Sequence, residues 1–358
     1  MRYKQRTLQV MQKYPFLITI LVALLSILAA LLIGGILIVL SGKDPILAYR
    51  YLGYGVFGNA YGLGEMLSKF IPLLCCGLGF SLANKSGFFN IGAEGQLYAG
   101  ALASVLVGLC LPSMPAVLHI ALGLLAGMLG GAILSAIPGL MKMKLGTNEL
   151  LVTMMLNYIM TLFINLLVSG PLKNPDGNME QTALIAESAR LPIILPGSRL
   201  HAGIFVVLAM TFLLWFLQKR TVPGFEMRLS GINMKAAKYA GVNTQKAFLL
   251  AVVLSGALPG LGGALELQGN QYKLLDGLSA NSGFDAIGIA VMGQHHPVGI
   301  IFSALLFAAL RVGANTMQRG VGVPLPIVNI LQGIIIICVI SGNYFVQRVM
   351  DAHVEGRS

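Results

Sequence analysis

The sequence predicts an all-α, polytopic helical membrane protein of about 10 transmembrane helices, with the N- and C-termini cytoplasmic. Three observations carry that expectation. First, 56% of the 358 residues are hydrophobic and only 10% are charged. Soluble domains run nearer ~45–50% apolar and ~25% charged, so a chain this poor in charge cannot clothe a water-facing surface. Second, apolar runs close to the ~20 residues that a helix needs to cross a bilayer recur along the chain. Third, the net charge of +11 is dispersed in short basic groups between those runs, as expected where Lys and Arg collect in cytoplasmic loops. That dispersal argues against a nucleic-acid surface. Cys75, Cys76, Cys110 and Cys338 lie in apolar surroundings without zinc-ligand spacing, and read as small core residues.

Residues 1–15 carry Arg2, Lys4, Arg6 and Lys13 and read as a cytoplasmic segment. The apolar run from Phe16 to Leu40 is too long for a signal peptide, so it reads as a retained first span, about 16–41. An outside segment follows in which Tyr49, Tyr51, Tyr54, Phe57 and Tyr61 alternate with glycines. These aromatics read as an interfacial belt, with stacking on a substrate ring as the alternative. The second span, about 66–83, ends at Asn84-Lys85.

Residues 87–100, GFFNIGAEGQLYAG, open the third span, about 92–111. Gly87 suits a tight turn, Asn90 a helix cap, and Glu94 the first turn, where the helix dipole favours its charge. Glu94 and Gln96 at membrane depth need partners, while Gly92, Gly95 and Gly100 let backbones approach closely. The string therefore serves either a substrate path or a closely packed helix entry. After a tight LPSMP turn, the fourth span, about 117–140, carries Gly123, Gly127, Gly130 and Gly131, a pattern for packing against other helices. Lys142 and Lys144 then mark the inside.

In GTNELLVTMMLNYIM, residues 146–160, Thr147 is the expected N-cap and Glu149 falls in the first turn. Glu149, Thr153, Asn157, Thr161 and Asn165 recur every four residues, a slanted ridge on a 3.6-residue helix. Polar residues repeated through a span avoid lipid. The ridge reads as facing the translocation path, with helix-to-helix hydrogen bonding as the alternative.

The loop 170–200 is the longest outside segment and holds Pro171, Pro175, Pro192 and Pro196. Spans follow at about 201–218, 247–267, 278–293, 298–314 and 325–345, and the tail 347–358 holds Arg348 and Arg357. Span 7 carries Pro259 and, near its outer end, Glu266; Asn329 and Gln332 share a face of span 10. This count places most of the 24 Lys and Arg residues inside. Arg311 and Arg319 fall outside, so the stretch around 278–325 also admits a re-entrant segment. The adjacent His295 and His296 have no acid or thiol near them in sequence, a poor metal pattern.

Residues 219–246 form the longest polar interruption on the inside, with Lys219, Arg220, Arg228, Lys235, Lys238 and Lys246 against the one acid Glu226. Asn233 can cap a short helix there and Gly241 can end it. Met234, Ala237 and Gly241 make one small face, suited to docking against another protein. The alternative is a basic loop that only anchors the spans. No G-x-x-x-x-G-K-[ST] loop occurs, so the chain has no ATP-cradling motif of its own.

Three strings in this order, NIGAEGQ at 90–96, GTNE…LN from 146, and GINMKAAKYAGVNTQKAF at 231–248, resemble permease subunits of ATP-binding-cassette (ABC) importers. The similarity covers roughly residues 65–345 and is to the branched-chain amino acid, ribose and nucleoside permeases, most of all those for nucleosides or simple sugars. The resemblance implies a multi-pass permease domain over 16–346 in a bacterial cell membrane, with 219–246 as its cytoplasmic coupling loop. It implies no enzyme activity and no cofactor, since ATP is bound by a partner ATPase subunit. Further partners implied are a second permease, identical or different, an extracytoplasmic substrate-binding lipoprotein, and the lipid bilayer. ATPase coupling is expected of Gly231, Asn233, Met234, Ala236, Ala237, Tyr239 and Gly241. A substrate path is expected from Asn90, Glu94, Gln96, Glu149, Thr153, Asn157, Thr161, Asn329 and Gln332. Within the spans, Gln96, Thr153, Asn157, Thr161, Asn329 and Gln332 are amides and hydroxyls, without Lys or Arg beside them to grip a phosphate or carboxylate. That favours a neutral polar cargo, a nucleoside first and a simple sugar such as ribose second. An ion-coupled secondary transporter is the rival class; it would couple through intramembrane charges, here Glu94, Glu149, Glu266 and Asp285.

Overall fold

The computed structural model describes residues 15–111, 114–175, 177 and 179–355. The expected basic residues Arg2, Lys4, Arg6, Lys13 and Arg357, and part of the LPSMP turn, lie outside the described residues. In chain order the helices are α1 (Pro15–Leu40), α2 (Pro45–Phe57), α3 (Ala60–Lys85), α4 (Ala93–Cys110) and α5 (Ala116–Leu145). Next come α6 (Glu149–Ser169), α7 (Gly203–Arg220), α8 (Val222–Ile232), α9 (Met234–Tyr239) and α10 (Thr244–Glu266). A π-helical turn, Leu267–Gln271, extends α10, and α11 (Ser282–Met292), α12 (Pro297–Val321) and α13 (Leu325–Glu355) complete the set. No strand occurs among the described residues, only the isolated bridges Gln181–Leu275 and Ile193–His201.

Seven of these helices, α3 to α7, α10 with its π turn, and α12, are long and apolar enough to cross a membrane. The pair Leu25–Leu40 and Pro45–Phe57, bent by 119°, raises the number to eight if it is one span. Each expected span has a helix at its place, but two, Ser282–Met292 and Pro326–Gly342, are shorter apolar segments. At ~1.5 Å per residue, the 11 residues of α11 cover only about half of a ~30 Å hydrocarbon layer.

The chain divides into two compact units, residues 1–59 with 309–358, and residues 60–308. In the first, α1 packs against α13. The sequence predicts no helix over 42–65, yet α2 forms there. Asp44 caps it by accepting from the N–H groups of Ile46 and Leu47, and Pro45 supplies the preset φ of a first helical residue. Tyr49 Oη donates to the Leu31 carbonyl at 2.5 Å, tying α2 to α1. Ile38, Ala48, Ala314, Met317, Val323 and Val328 form the core of this unit.

In the second unit α10 is the hub, packed on α3, α4 and α5. Glycines make that approach close enough. A Cβ on Gly100 of α4 would overlap the Gly260 carbonyl of α10, and one on Gly260 would lie 2.9 Å from Gly131 Cα of α5. Lipid offers no hydrophobic gain for helix association, so contact area between bare backbones supplies much of it instead. α3 is almost wholly buried, whereas most residues of α5, α6 and α7 are at least partly exposed. Cys75 and Cys76 are buried as expected, but Cys110 is exposed at the end of α4.

Candidate functional site

The NIGAEGQ string forms a knot where α4 begins. Gly87, at φ 77°, turns the chain after α3 in a backbone region that disfavours side chains. Asn90 Nδ2 donates to Gln96 Oε1 at 3.1 Å and Gln96 Nε2 donates back to Asn90 Oδ1 at 3.0 Å. Asn90 Nδ2 also donates to Ser255 Oγ of α10 at 3.2 Å. Both amides are buried. Asn90 was expected to cap the helix. The N-cap is instead Gly92, and Asn90 Oδ1 accepts its N–H at 2.9 Å, in a turn that precedes the helix.

Glu94 lies in the first turn of α4, as expected, but its buried carboxylate reaches across to α11. Oε2 accepts from the Gly283 N–H at 2.7 Å, and Oε1 accepts from Ser279 Oγ. Glu94 thus supplies an acceptor to a buried first-turn N–H of α11, which has no partner within its own helix and where a negative charge is stabilised. The far end of α11 meets α3 through Ser81 Oγ, which donates to the His295 carbonyl at 3.1 Å. Burial, and then the positive charge of Lys85, hold the His295 imidazole below its ordinary pKa.

The polar ridge of α6 turns inward at its middle. Asn157 Oδ1 accepts from the Gly95 N–H at 2.8 Å, and Asn157 Nδ2 donates to the Ile91 carbonyl at 2.9 Å. Thr153 and Thr161 donate to carbonyls of their own helix, those of Glu149 and Asn157. The N-cap of α6 is Asn148, which accepts from the Leu150 N–H, one residue beyond the expected Thr147. At this end Lys142 Nζ meets Glu149 Oε1 at 2.5 Å and the Gly87 carbonyl at 3.0 Å. Its ammonium also lies 5.6 Å from the Phe88 ring and 5.7 Å from that of Phe248.

Asn90, Glu94, Gln96, Thr153 and Asn157 are therefore brought together around the start of α4, all buried. Glu149 and Thr161 flank them on α6, half-buried. Asn329 is exposed and Gln332 buried on α13, in the other unit.

The 219–246 segment folds as α8 and α9. Asn233 Oδ1 accepts from the Ala236 N–H at 3.0 Å as the N-cap, and Gly241 ends the turn at φ 82°. Ala237 is fully buried, so the expected Met234–Ala237–Gly241 face is not uniformly open. On and beside α9 the exposed apolar groups are Tyr239 (94% exposed), Ile232 (83%) and Met234 (53%), and α8 adds Val222 and Phe225. Gly231, at the end of α8, rests on the backbone of Lys85 and Ser86, where a Cβ would overlap the Lys85 carbonyl.

Buried amides within an apolar helical bundle, and a short basic surface helix, are compatible with a membrane transport subunit. The profile of the branched-chain amino acid transport system permease component family matches residues 62–340, and this chain belongs to that family. It is 36% identical over 337 residues to the guanosine ABC transporter permease protein NupP of Bacillus subtilis, covering 92% of this chain and 95% of that one. It is 34% identical to the glucose ABC transporter permease protein TsgB13 of Haloferax volcanii, over 90% and 87% of the two chains. It is 33% identical to the nucleoside ABC transporter permease protein NupB of Lactococcus lactis, over 88% and 89%. The chain is accordingly a multi-pass cell-membrane permease of an ABC transporter, working with an ATPase subunit that hydrolyses ATP and with a substrate-binding partner. That membership removes the ion-coupled carrier.

Proposed function

We propose that this chain forms the translocation path of an ATP-driven nucleoside importer, with about ten spans and both termini in the cytoplasm. The observation that carries the reading is end-to-end similarity to two relatives named for guanosine or nucleoside transport. The amides of Asn90, Gln96 and Asn157 bond to one another and to the backbone, so they frame the start of α4 and the choice of cargo rests on those relatives. In this reading α9 is the coupling helix and offers Tyr239 and Met234 to the ATPase. The second permease is a different chain. The Bacillus guanosine permease NupQ (28% identical) and the Lactococcus nucleoside permease NupC (26%) also match, each from an organism that holds one of the two nearer relatives. A lipoprotein delivers the substrate on the other side.

A sugar is the second reading, favoured by the glucose permease at 34% identity. Uptake of labelled guanosine in cells lacking this gene separates the two. Loss of energy-dependent guanosine uptake, unaffected in the parent cells by excess glucose or ribose, is the expected result. Intact guanosine uptake with loss of sugar uptake moves the assignment to the sugar branch.

A further inference from the structure

His201, Glu266 and Asn270 leave three hydrogen-bonding atoms without partners around one turn of the chain. Glu266 is the last residue of α10, Asn270 lies in the π turn that follows, and His201 precedes α7. The His201 ring fits a slot between two glycines. A Cβ on Gly269 would overlap it, and one on Gly203 would lie 2.7 Å from its Nδ1. Glu266 Oε1 accepts from Lys69 Nζ at 2.9 Å and from Asn270 Nδ2 at 2.7 Å, while Oε2 accepts from nothing. His201 Nδ1 accepts from the Gly203 N–H at 3.3 Å, so the neutral ring carries its proton on Nε2, which donates to nothing. Asn270 Oδ1 is likewise unmet.

Glu266 is 2% exposed and His201 fully buried, and a buried polar atom without a partner is costly. The set is also complementary: one N–H donor and two oxygen acceptors. A metal ion fits poorly, because Lys69 already neutralises the carboxylate and His201 presents a proton. A hydroxyl fits well, since it can accept from Nε2–H and donate to Glu266 Oε2, while a neighbouring hydroxyl donates to Asn270 Oδ1. Lys69 and Asn270, at the edge of the cluster, are partly exposed. Over the π turn lies the segment 182–191. The Leu191 N–H donates to the Gln268 carbonyl at 2.8 Å, and that of Ile185 to the Tyr272 carbonyl at 2.8 Å.

We propose that His201, Glu266 and Asn270 form a subsite for the vicinal diol of a neutral sugar ring, here the ribose of a nucleoside. The assignment of the ribose rests on the nucleoside reading above. π-helical turns are frequent at functional sites, and this one sets Glu266 and Asn270 on one carboxylate-centred hydrogen-bond network.

The test uses cells carrying the whole transporter and labelled guanosine, with unlabelled guanosine or 2′,3′-dideoxyguanosine as competitor. In wild type the dideoxy compound is expected to compete about tenfold or more weakly, because a site built for hydroxyls rejects the analogue that lacks them. In His201→Phe and Asn270→Leu the two competitors become nearly equal. Equal competition in wild type leaves only bound water at the cluster and overturns the subsite while the nucleoside reading stands. A wild-type preference that survives in both variants belongs to the substrate-binding partner, and also overturns it. Absence of guanosine uptake in wild type overturns the nucleoside reading and this ribose subsite with it. If neither variant accumulates in the membrane, the purified wild-type complex decides. Guanosine raises its Tm and dideoxyguanosine does not; equal shifts, or none, overturn the subsite.

Discussion

Asn157 of α6 holds the backbone N–H of Gly95 on α4 at 2.8 Å, and its amide closes a second bond to the Ile91 carbonyl. One side chain thus pins the start of α4 to a helix 62 residues away in sequence. Asn157→Leu leaves both backbone groups unpaired in a buried place, at about 1–3 kcal/mol each. The expected outcome is a lowered Tm of the solubilised complex, with transport falling in parallel. A severe transport defect at unchanged Tm shows instead that Asn157 acts on the cargo directly.

Glu94 carries the same logic to α11. Glu94→Ala removes the acceptor for the Gly283 N–H and Ser279 Oγ, so α11 loses its anchor and transport falls by tenfold or more, while Glu94→Gln retains one acceptor and part of the activity. Uptake assays at matched membrane levels check the order of the two variants. Equal activity of Glu94→Ala and wild type shows that this anchor is dispensable.

Much of this fold was legible in the sequence, because lipid imposes long apolar runs and marks their ends with Lys or Gly. The run ending at Asn84-Lys85 finishes where α3 does, whereas the span expected to end near 140 continues in α5 to Leu145. α2 was missed although Asp44-Pro45 is a start signal, since its Tyr and Gly content lacks the apolar run of a span. Partners were not legible. Nothing near Glu94 in sequence announces Gly283, and a four-residue polar repeat cannot say whether Asn157 meets water or a backbone. His201 gave no signal at all; its meaning depends on two glycines and a carboxylate brought together by folding.

Gly100 tests the glycine packing. Gly100→Ala places a methyl against the Gly260 carbonyl, and neither backbone can retreat without parting α4 from α10 and α5. A loss of about 1–3 kcal/mol is expected for such overpacking, seen as a lower Tm and reduced accumulation in the membrane. Gly53, whose Cβ would meet nothing within 4 Å, is the control, and Gly53→Ala should be close to wild type.

His295 sets a pH dependence. Its imidazole is held below the ordinary value by burial and then by Lys85, so the folded protein binds its proton less readily than the unfolded chain does. The stability it contributes is present above the unfolded pKa of ~6.5 and is lost as pH falls below that value. His295→Phe keeps the stacking on Phe80, whose ring centroid lies 6.3 Å away, and removes the titration. Its Tm should fall less than that of wild type between pH 7 and 5; parallel curves argue that His295 is not the group responsible.

The segment 219–246, proposed above to dock the ATPase, gives the last prediction, and burial decides which residue to change. The sequence places Ala237 at the centre of a docking face, but it is fully buried, so Ala237→Arg would disrupt α9 itself and say nothing of docking. Tyr239 is the better probe: it is 94% exposed on a six-residue helix held by the Asn233 cap, and an exposed tyrosine buries a large rigid surface when a partner covers it. Tyr239→Ala should leave membrane level and Tm unchanged. Affinity for the ATPase in co-purification should weaken by roughly thirtyfold, the loss of about 2 kcal/mol that an interface hot spot carries. Gly231→Ala provides the contrast, because it presses on the Lys85 carbonyl without touching the exposed face. There the ATPase should still co-purify while transport per ATP hydrolysed falls. If Tyr239→Ala retains the ATPase at wild-type affinity, α9 is an anchor for the spans and the ATPase seats elsewhere.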